Sequence, residues 1–225
     1  MQNIDSTKYG LALHTSSPQL GLAISNFVDK NRCQTWDLGH GLSTHLHQYL
    51  ADFLIPQTWK DLAFIAVAKG PGSFTATRIG VVTARTLAQQ LDIPLLAIST
   101  LAAVAWSISP PNDRTTGGTE QEQAIALQMP AQRGQLFTAI YQISSNPSGL
   151  IQKQPDAVIT SDTWKQTLDT LEMPYQLIDV PTDLGTTVSS LLELAYLDWQ
   201  LGKHSHWSEA LPFYGQHPVE NTTVK

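Results

Sequence analysis

A glycine-rich turn between an apolar run and a helical pattern constrains the fold of this chain more than any other feature. Residues 69–80 have the sequence Lys-Gly-Pro-Gly-Ser-Phe-Thr-Ala-Thr-Arg-Ile-Gly. The apolar run 63–68 before them predicts a buried strand, and the pattern from Phe74 to about Leu91 predicts a helix. Such a turn in an α/β protein can hold an anion on the helix N-terminus, or it can simply let the helix pack closely on its sheet.

The turn lacks the signatures of well-known nucleotide-binding loops. Gly70-Pro71-Gly72-Ser73 has no Gly-Lys-Ser/Thr ending, and the spacing of a dinucleotide fingerprint is absent. The sequence therefore gives no strong indication of a nucleotide site.

The remaining patterns divide the chain into two halves that both mix strands and helices. A polar stretch rich in Gly, Pro and Thr, 109–119, separates them and predicts a mobile loop. The predicted strands are 11–13, 20–24, 33–38, 63–68, 94–98, 124–128, 135–143 and 175–179, and the predicted helices are 42–55, 74–91, 101–106, 163–171 and 187–201. We therefore expect an α/β fold with mixed sheets and two lobes, an N-terminal lobe 1–108 and a smaller C-terminal lobe 120–225.

Charge and cysteine content favour a cytoplasmic protein. The chain has 19 acidic and 13 basic residues among 225, a net charge of −6, which argues against a nucleic-acid grip spread over the whole surface. It does not exclude a local basic site or a partner that holds the nucleic acid. Cys33 is the only cysteine, so neither an intramolecular disulfide nor a thiolate zinc site is expected. We expect no membrane span, because the longest apolar run is too short, and no secretory signal.

The predicted helix after the turn carries small residues at every fourth position. Ala76, Gly80, Ala84 and Ala88 form a stripe that another backbone can approach closely. The favoured interpretation is packing on the chain's own sheet. The alternative is a helix–helix interface with another chain, to which the apolar helix 42–55 would contribute.

No set of residues predicts a catalytic or metal centre. His14 ends the first predicted strand, where a catalytic group would be well placed, yet no Asp or Glu is nearby in sequence to orient it. We interpret it as a partly buried structural histidine. His45 and His47 point about 200° apart on a helix and cannot chelate one ion.

Three stretches together resemble the TsaB (YeaZ) family, a non-catalytic subunit in bacterial synthesis of threonylcarbamoyladenosine in tRNA. The first, 11–16, is Leu-Ala-Leu-His-Thr-Ser and is similar to a family strand that ends in Asp-Thr-Ser. The second and most specific is 66–101, which contains Gly-Pro-Gly-Ser-Phe-Thr, Arg-Ile-Gly and Ser-x-Leu in the family's order. The third, 131–137, is Ala-Gln-Arg-Gly-Gln-Leu-Phe.

The resemblance implies an actin-like, sugar-kinase-like (ribonuclease H-like) fold, in which each lobe has a sheet of three antiparallel strands extended by parallel ones. The chain departs from the family pattern at three positions. His14 and Pro130 stand where the family usually has Asp, and Leu42 stands where it commonly has His. These departures agree with a pseudoenzyme.

The implied function is that of a scaffold. The chain would pair through its N-terminal helices with the paralogous catalytic subunit TsaD, and through that complex with the ATPase TsaE. The complex transfers threonylcarbamoyl to N6 of adenosine 37 in tRNAs that read codons beginning with A. No cofactor is expected in this chain, since ATP and the metal belong to the partner subunits, and tRNA would be contacted indirectly.

This assignment gives specific residue predictions. Gly70, Pro71, Gly72 and Ser73 are expected to form a structural turn retained from the actin-like fold. The expected partner interface consists of Leu42, Leu46, Leu50, Ala76, Arg78, Gly80 and Ala84.

Two alternatives stay open. The chain can instead be an enzyme of the same fold, an ATP-dependent phosphotransferase or a homologue of the M22-type peptidases. It can also form a homodimer through the same helices when no partner is present.

Overall fold

The computed structural model of the protein describes residues 4–108, 123–144, 149–203 and 206–215. The predicted loop 109–119 lies outside these residues. The first half contains five strands and three helices: β1 Tyr9–His14, β2 Gln19–Ser25, β3 Asn31–Asp37, α1 Leu42–Leu54, β4 Leu62–Ala68, α2 Phe74–Leu91, β5 Leu95–Ile98 and α3 Thr100–Ser107. The second half contains β6 Ala124–Pro130, β7 Gln135–Ile143, β8 Leu150–Thr160, α4 Ser161–Asp169, β9 Tyr175–Asp179 and α5 Val188–Gln200.

The first sheet has the strand order β3-β2-β1-β4-β5. The β1–β2 and β2–β3 pairs are antiparallel, and β4 and β5 continue the sheet in parallel. Alternation along the strands buries both faces. Leu11 and Leu13 of β1 lie in the core under α1 and α2, whereas Ala12 faces the core formed with α3 and α5.

The second sheet repeats this plan with the order β8-β7-β6-β9. Strands β6, β7 and β8 are antiparallel and β9 is parallel to β6. One face packs on α4 through Trp164 and Leu168. The first sheet thus has three antiparallel strands extended by two parallel ones, and the second has three extended by one. The predicted α/β fold with two mixed sheets is confirmed.

Helix α3 lies between the two sheets. Its residues from Thr100 to Trp106 are all buried, which is typical of a helix enclosed on every side. They share one core with Ala66 and Ala68 of the first sheet and with Leu127 of the second. The indole Nε1 of Trp106 also donates to Glu193 of α5 at 2.7 Å.

Helix α5 comes late in the chain but packs on the first sheet. Leu191, Leu192 and Ala195 share a core with Ala12 and Phe64. Phe27, Phe64, Tyr196 and Trp199 extend this core as a series of stacked rings. The lobe boundaries at 108 and 120 remain a prediction.

One strand escaped the sequence patterns. β8 has the sequence Leu-Ile-Gln-Lys-Gln-Pro-Asp-Ala-Val-Ile-Thr, with Pro155 in its middle. It is the edge strand of the second sheet, where proline and polar residues are tolerated and the apolar alternation is weak.

Within the part of the chain that the structure describes, no helix combines the length and apolar character needed to cross a membrane.

Candidate partner surface and central cleft

The Gly70–Ser73 turn is where three distant segments meet. The amide of Ser73 donates to the carbonyl oxygen of Ser16 after β1 at 2.8 Å, and the carbonyl of Gly70 accepts from Thr100 of α3 at 2.9 Å. The carbonyl of Lys69 accepts from Phe213 at 2.7 Å.

Positions 70 and 72 of the turn require glycine. Gly70 has φ +96°, a left-handed conformation that side chains disfavour. A Cβ at Gly72 would collide with the carbonyl oxygen of Ser16. The geometry agrees with the predicted structural role of the turn.

The small-residue stripe of α2 packs inside the protein. Ala76, Gly80, Ala84 and Ala88 are all buried. The hydroxyl of Thr15, just after β1, donates to the carbonyl of Ala76 at 2.9 Å, and a Cβ on Gly80 would collide with that hydroxyl. The stripe therefore lets α2 approach its own sheet, as the favoured interpretation expected.

This packing corrects most of the predicted partner interface. Six of its seven residues are buried in the chain's own core and are not available at the surface: Leu42, Leu46, Leu50, Ala76, Gly80 and Ala84. The physical reason is that apolar and small residues at helical spacing mark the inward face of a helix on a sheet. Only Arg78 is exposed.

The outward faces of the same helices form a candidate surface. We call it the α1/α2 outer face and define it by the exposed residues Thr44, Gln48 and Ala51 of α1 and Arg78, Val82, Thr86 and Gln89 of α2. Both helices pack on the same side of the first sheet, so these residues point away from it together. Val82 is 58 % exposed at the centre of the α2 part.

His14 has no access to solvent or substrate. It is fully buried, and burial lowers the pKa of its imidazole to about 3, so the ring is neutral at physiological pH. Its Nε2 has no hydrogen-bond partner among the described residues. The expected partial burial of His14 was wrong, since the residue is fully buried; its structural role remains a prediction.

A second buried polar group joins the two halves. Asp156 of β8 accepts a hydrogen bond from the hydroxyl of Ser99 at 2.8 Å and from that of Tyr141 at 3.3 Å. Burial raises the pKa of the Asp156 carboxyl, while the Ser99 hydrogen bond and the Lys69 charge oppose that rise. This cluster is not apparent from the sequence because its members are far apart in the chain.

A cleft of about 850 Å³ opens where the turn faces the second sheet. We call it the central cleft. It is lined by Ser16, Ser17, Pro18, Gly72, Ser73, Phe74, Thr75, Thr77, Met129, Pro130, Ala131, Gln132, Phe137, Val180, Pro181, Thr182, Leu184, Pro212, Phe213 and Tyr214. Pro130, at the end of β6, borders it at the position where the resemblance expects an aspartate. The lining thus has no carboxylate there to hold a cation.

The described residues contain no cluster of three or more His, Cys, Asp or Glu side chains that could bind a metal ion. Arg133 lies in the turn of the antiparallel β6–β7 hairpin, at φ +59°.

Comparisons with known proteins match one TsaD family model and relatives named TsaB. A family model described as TsaD: tRNA N6-adenosine threonylcarbamoyltransferase matches residues 47–158. The Bacillus subtilis protein named tRNA threonylcarbamoyladenosine biosynthesis protein TsaB is 33 % identical over 180 residues, 77 % of this chain and 72 % of that protein. A protein of the same name from Buchnera aphidicola is 26 % identical over 145 residues, 63 % of this chain and 61 % of that protein.

Solved structures show the same fold. A crystal structure from Pseudomonas aeruginosa, described as an uncharacterized protein with similarity to the peptidase YEAZ, superposes with a TM-score of 0.71. The two sequences are 21 % identical, and the superposition covers 93 % of this chain and all of the other. A second structure, YeaZ from the same organism, gives a TM-score of 0.69 at 22 % identity, with 92 % of this chain and all of that one covered.

Proposed function

The chain belongs to the TsaB family, and from this we propose that it is a non-catalytic subunit in the synthesis of threonylcarbamoyladenosine in tRNA. Its partner is a TsaD-type catalytic subunit, which it contacts through the α1/α2 outer face. The ATPase TsaE joins through that complex, and the product is N6-threonylcarbamoyl adenosine 37. ATP and the metal are held by the partners, the tRNA is contacted indirectly, and the assembly works in the cytoplasm.

The exposed Val82 on α2 is the observation that carries this proposal. The inward stripe of α2 is used by the chain's own sheet, so a partner can reach only the outward residues. Val82 offers an apolar centre, and Arg78 and Gln89 on the same face offer polar contacts at its edge. An apolar centre with a polar rim is the usual anatomy of a protein interface.

The chemistry of the two positions that depart from the family pattern supports a non-catalytic role. His14 is neutral and enclosed, so it cannot exchange a proton with a substrate. Pro130 has no side-chain oxygen for a metal. The catalytic groups are therefore expected in the partner.

The proposal is tested by placing a charge at the centre of the α1/α2 outer face. Val82→Glu buries a carboxylate in the complex and should weaken binding to a TsaD-type subunit by at least about tenfold, since charges at an interface core are costly. Affinity is measured by titration calorimetry, and threonylcarbamoyl transfer is measured in the reconstituted system.

Val28→Glu is the matched control. Val28 is also an exposed valine, but it lies in the β2–β3 turn, beside residues of α5 on the opposite side of the first sheet. This variant should bind and support transfer like the unmodified chain. Equal affinity of Val82→Glu and Val28→Glu would exclude the α1/α2 outer face. Sedimentation of the pure chain with both variants tests in addition whether the same face forms a homodimer.

A further inference from the structure

The second sheet repeats the plan of the first but lacks the counterpart of one helix. By strand order, β8, β7, β6 and β9 correspond to β3, β2, β1 and β4. On one face of the first sheet, α1 packs on β2 and α2 packs mainly on β4. In the second sheet α4 packs on β7 and β8. Among the described residues, no helix packs on β9 as α2 packs on β4.

The side chains of β9 that point to this face are exposed as a result. Leu177 is the register partner of Ala126, which belongs to the apolar cluster beneath α4, so Leu177 and Tyr175 lie on the same face of the sheet as α4. Tyr175 is 36 % exposed and Leu177 is 44 % exposed. The equivalent side chains of β4, Ile65 and Val67, are fully buried in the cluster that contains α2 residues.

The connection from α4 to β9 extends this apolar surface. Leu171 and Met173 pack against the cluster beneath α4 and are only half-buried. We call Leu171, Met173, Tyr175 and Leu177 the β9 outer face. Strand β9 has five residues and is about 17 Å long, a length that a helix of about 11 residues matches. One helix in the position that α2 takes on β4 would therefore cover this face.

The charges around the β9 outer face indicate the chemistry of that helix. Residues 161–183 contain five carboxylates and one lysine. Asp169 and Glu172 precede β9, Asp179 ends it, and all three are exposed. An apolar helix face flanked by Lys or Arg complements this pattern. A second copy of the same face does not, because it would bring like charges together.

The remaining segments of this chain do not match the pattern either. Residues 109–122 carry three acidic residues and one arginine, and residues 216–225 carry one glutamate, one histidine and one lysine. Neither segment has the basic character that the β9 outer face favours. The occupant is therefore expected to come from another protein.

We propose that the β9 outer face binds an amphipathic helix of a partner protein. Apolar side chains at positions i, i+3 and i+4 of that helix pack on Tyr175 and Leu177, and its Lys or Arg side chains lie near Glu172 and Asp179. This surface is on the second sheet, whereas the α1/α2 outer face is on the first. The inference therefore does not rest on pairing with a TsaD-type subunit.

The first experiment titrates the full-length chain with a synthetic 14-residue peptide. The peptide has leucine at helical spacing (i, i+3, i+4, i+7) and lysine at its other positions, and binding is followed by fluorescence anisotropy. Saturable binding with a Kd below about 100 μM is expected. The same peptide with glutamate in place of lysine should bind at least about tenfold more weakly. The absence of saturable binding up to about 1 mM, or equal affinity for the two peptides, would overturn the proposal.

The second experiment locates the peptide by a matched pair of variants. Leu177→Lys should weaken binding of the lysine peptide by at least about tenfold, because it removes apolar surface and adds a repelling charge. Leu211→Lys adds the same charge at a leucine that is 61 % exposed beside β5, and it should bind the peptide normally. Equal affinity of the two variants would place the peptide elsewhere and contradict the site.

A milder substitution guards against disruption of the strand. Leu177→Thr keeps a residue that favours β-strands and removes only apolar surface, so it should weaken peptide binding by at least about threefold. Unchanged affinity of this variant would contradict the proposed packing on Leu177.

A cross-test separates this surface from the α1/α2 outer face. Val82→Glu should bind the lysine peptide like the unmodified chain, and Leu177→Lys should bind a TsaD-type subunit normally. Loss of peptide binding in Val82→Glu would assign the peptide to the α1/α2 outer face and overturn the present inference. Failure of the pairing proposal alone would leave peptide binding at β9 unchanged.

Discussion

The effect of a substitution in this protein depends on the atoms that contact the residue, and Gly80 is the clearest case. In the middle of an exposed helix, replacing glycine by alanine stabilises by up to about 1 kcal/mol. At Gly80 the added methyl group would collide with the Thr15 hydroxyl, which holds the carbonyl of Ala76.

Gly80→Ala should therefore lower the free energy of unfolding by about 1–3 kcal/mol, the usual cost of overpacking. Urea denaturation measures this change. Gln89→Ala, on the outer face of α2, is the control and should change stability by less than about 0.5 kcal/mol. A stabilised Gly80→Ala would contradict the close packing of α2 on β1.

His14 makes stability depend on pH. Its pKa is about 3 in the folded state because of burial, below the ordinary value of 6.5. The unfolded chain therefore binds the proton more readily than the folded chain does. The free energy of unfolding is undiminished by this group above pH 6.5 and decreases as the pH falls from 6.5 towards 3. The loss is about 1.4 kcal/mol for each pH unit in that window.

His14→Gln removes this titration. Between pH 6 and 4.5 the unmodified chain should lose about 2 kcal/mol more of its unfolding free energy than the variant does. Urea denaturation at the two pH values gives the difference. Parallel pH profiles for the two proteins would mean that the folded imidazole is not held neutral.

Sequence could predict the inward character of these residues but not their contacts. The spacing of Ala76, Gly80 and Ala84 identifies one face of a helix, and this face proved to be buried. Which surface covers such a stripe depends on the tertiary structure, so the same pattern also suggested a partner. The exposed Val82 lies outside this stripe, and its role in an interface remains a prediction.

At the level of elements, α3 depends on a cap that also joins the two halves. The Ser99 hydroxyl oxygen accepts from the amides of Leu101 and Ala102 and donates to Asp156. Ser99→Ala therefore removes the cap and leaves a largely buried carboxyl without its closest donor.

We expect Ser99→Ala to cost about 2–4 kcal/mol, about 1 for the cap and the remainder for the buried carboxyl. Thr160→Ala is the control, since Thr160 caps α4 through Thr163 at an exposed position, and it should cost about 1 kcal/mol. Thermal and urea unfolding measure both. An equal decrease of the unfolding free energy in the two variants would show that Asp156 does not help to join the halves.

Elements with strong periodicity were predictable, and strand β8 was not. The helix predictions 42–55 and 74–91 agree with α1 and α2 to within a residue. Strand β8 was missed because half of its surroundings is solvent, which imposes little hydrophobic pattern. The Asp156 cluster was missed with it.

At the scale of the whole molecule, the packing of a sheet against a helix from the other half of the chain is the feature that the sequence predicts least. Composition and element order indicate two mixed sheets, and that prediction holds. Nothing in the patterns of 187–201 indicates that this helix packs on the first sheet. An apolar helix face must be buried, but its sequence does not specify which surface buries it. Long-range packing of this kind depends on topology.

The position of α5 has a consequence for synthesis on the ribosome. One face of the first sheet, with Ala12 and Phe64, is covered by a helix that ends at Gln200. The sheet strands are complete by Ile98, about a hundred residues earlier, so at roughly 5–20 residues per second this face waits for several seconds. During that interval the nascent chain exposes the part of this apolar face that α5 later covers, which makes it a natural client for chaperones that bind emerging polypeptides.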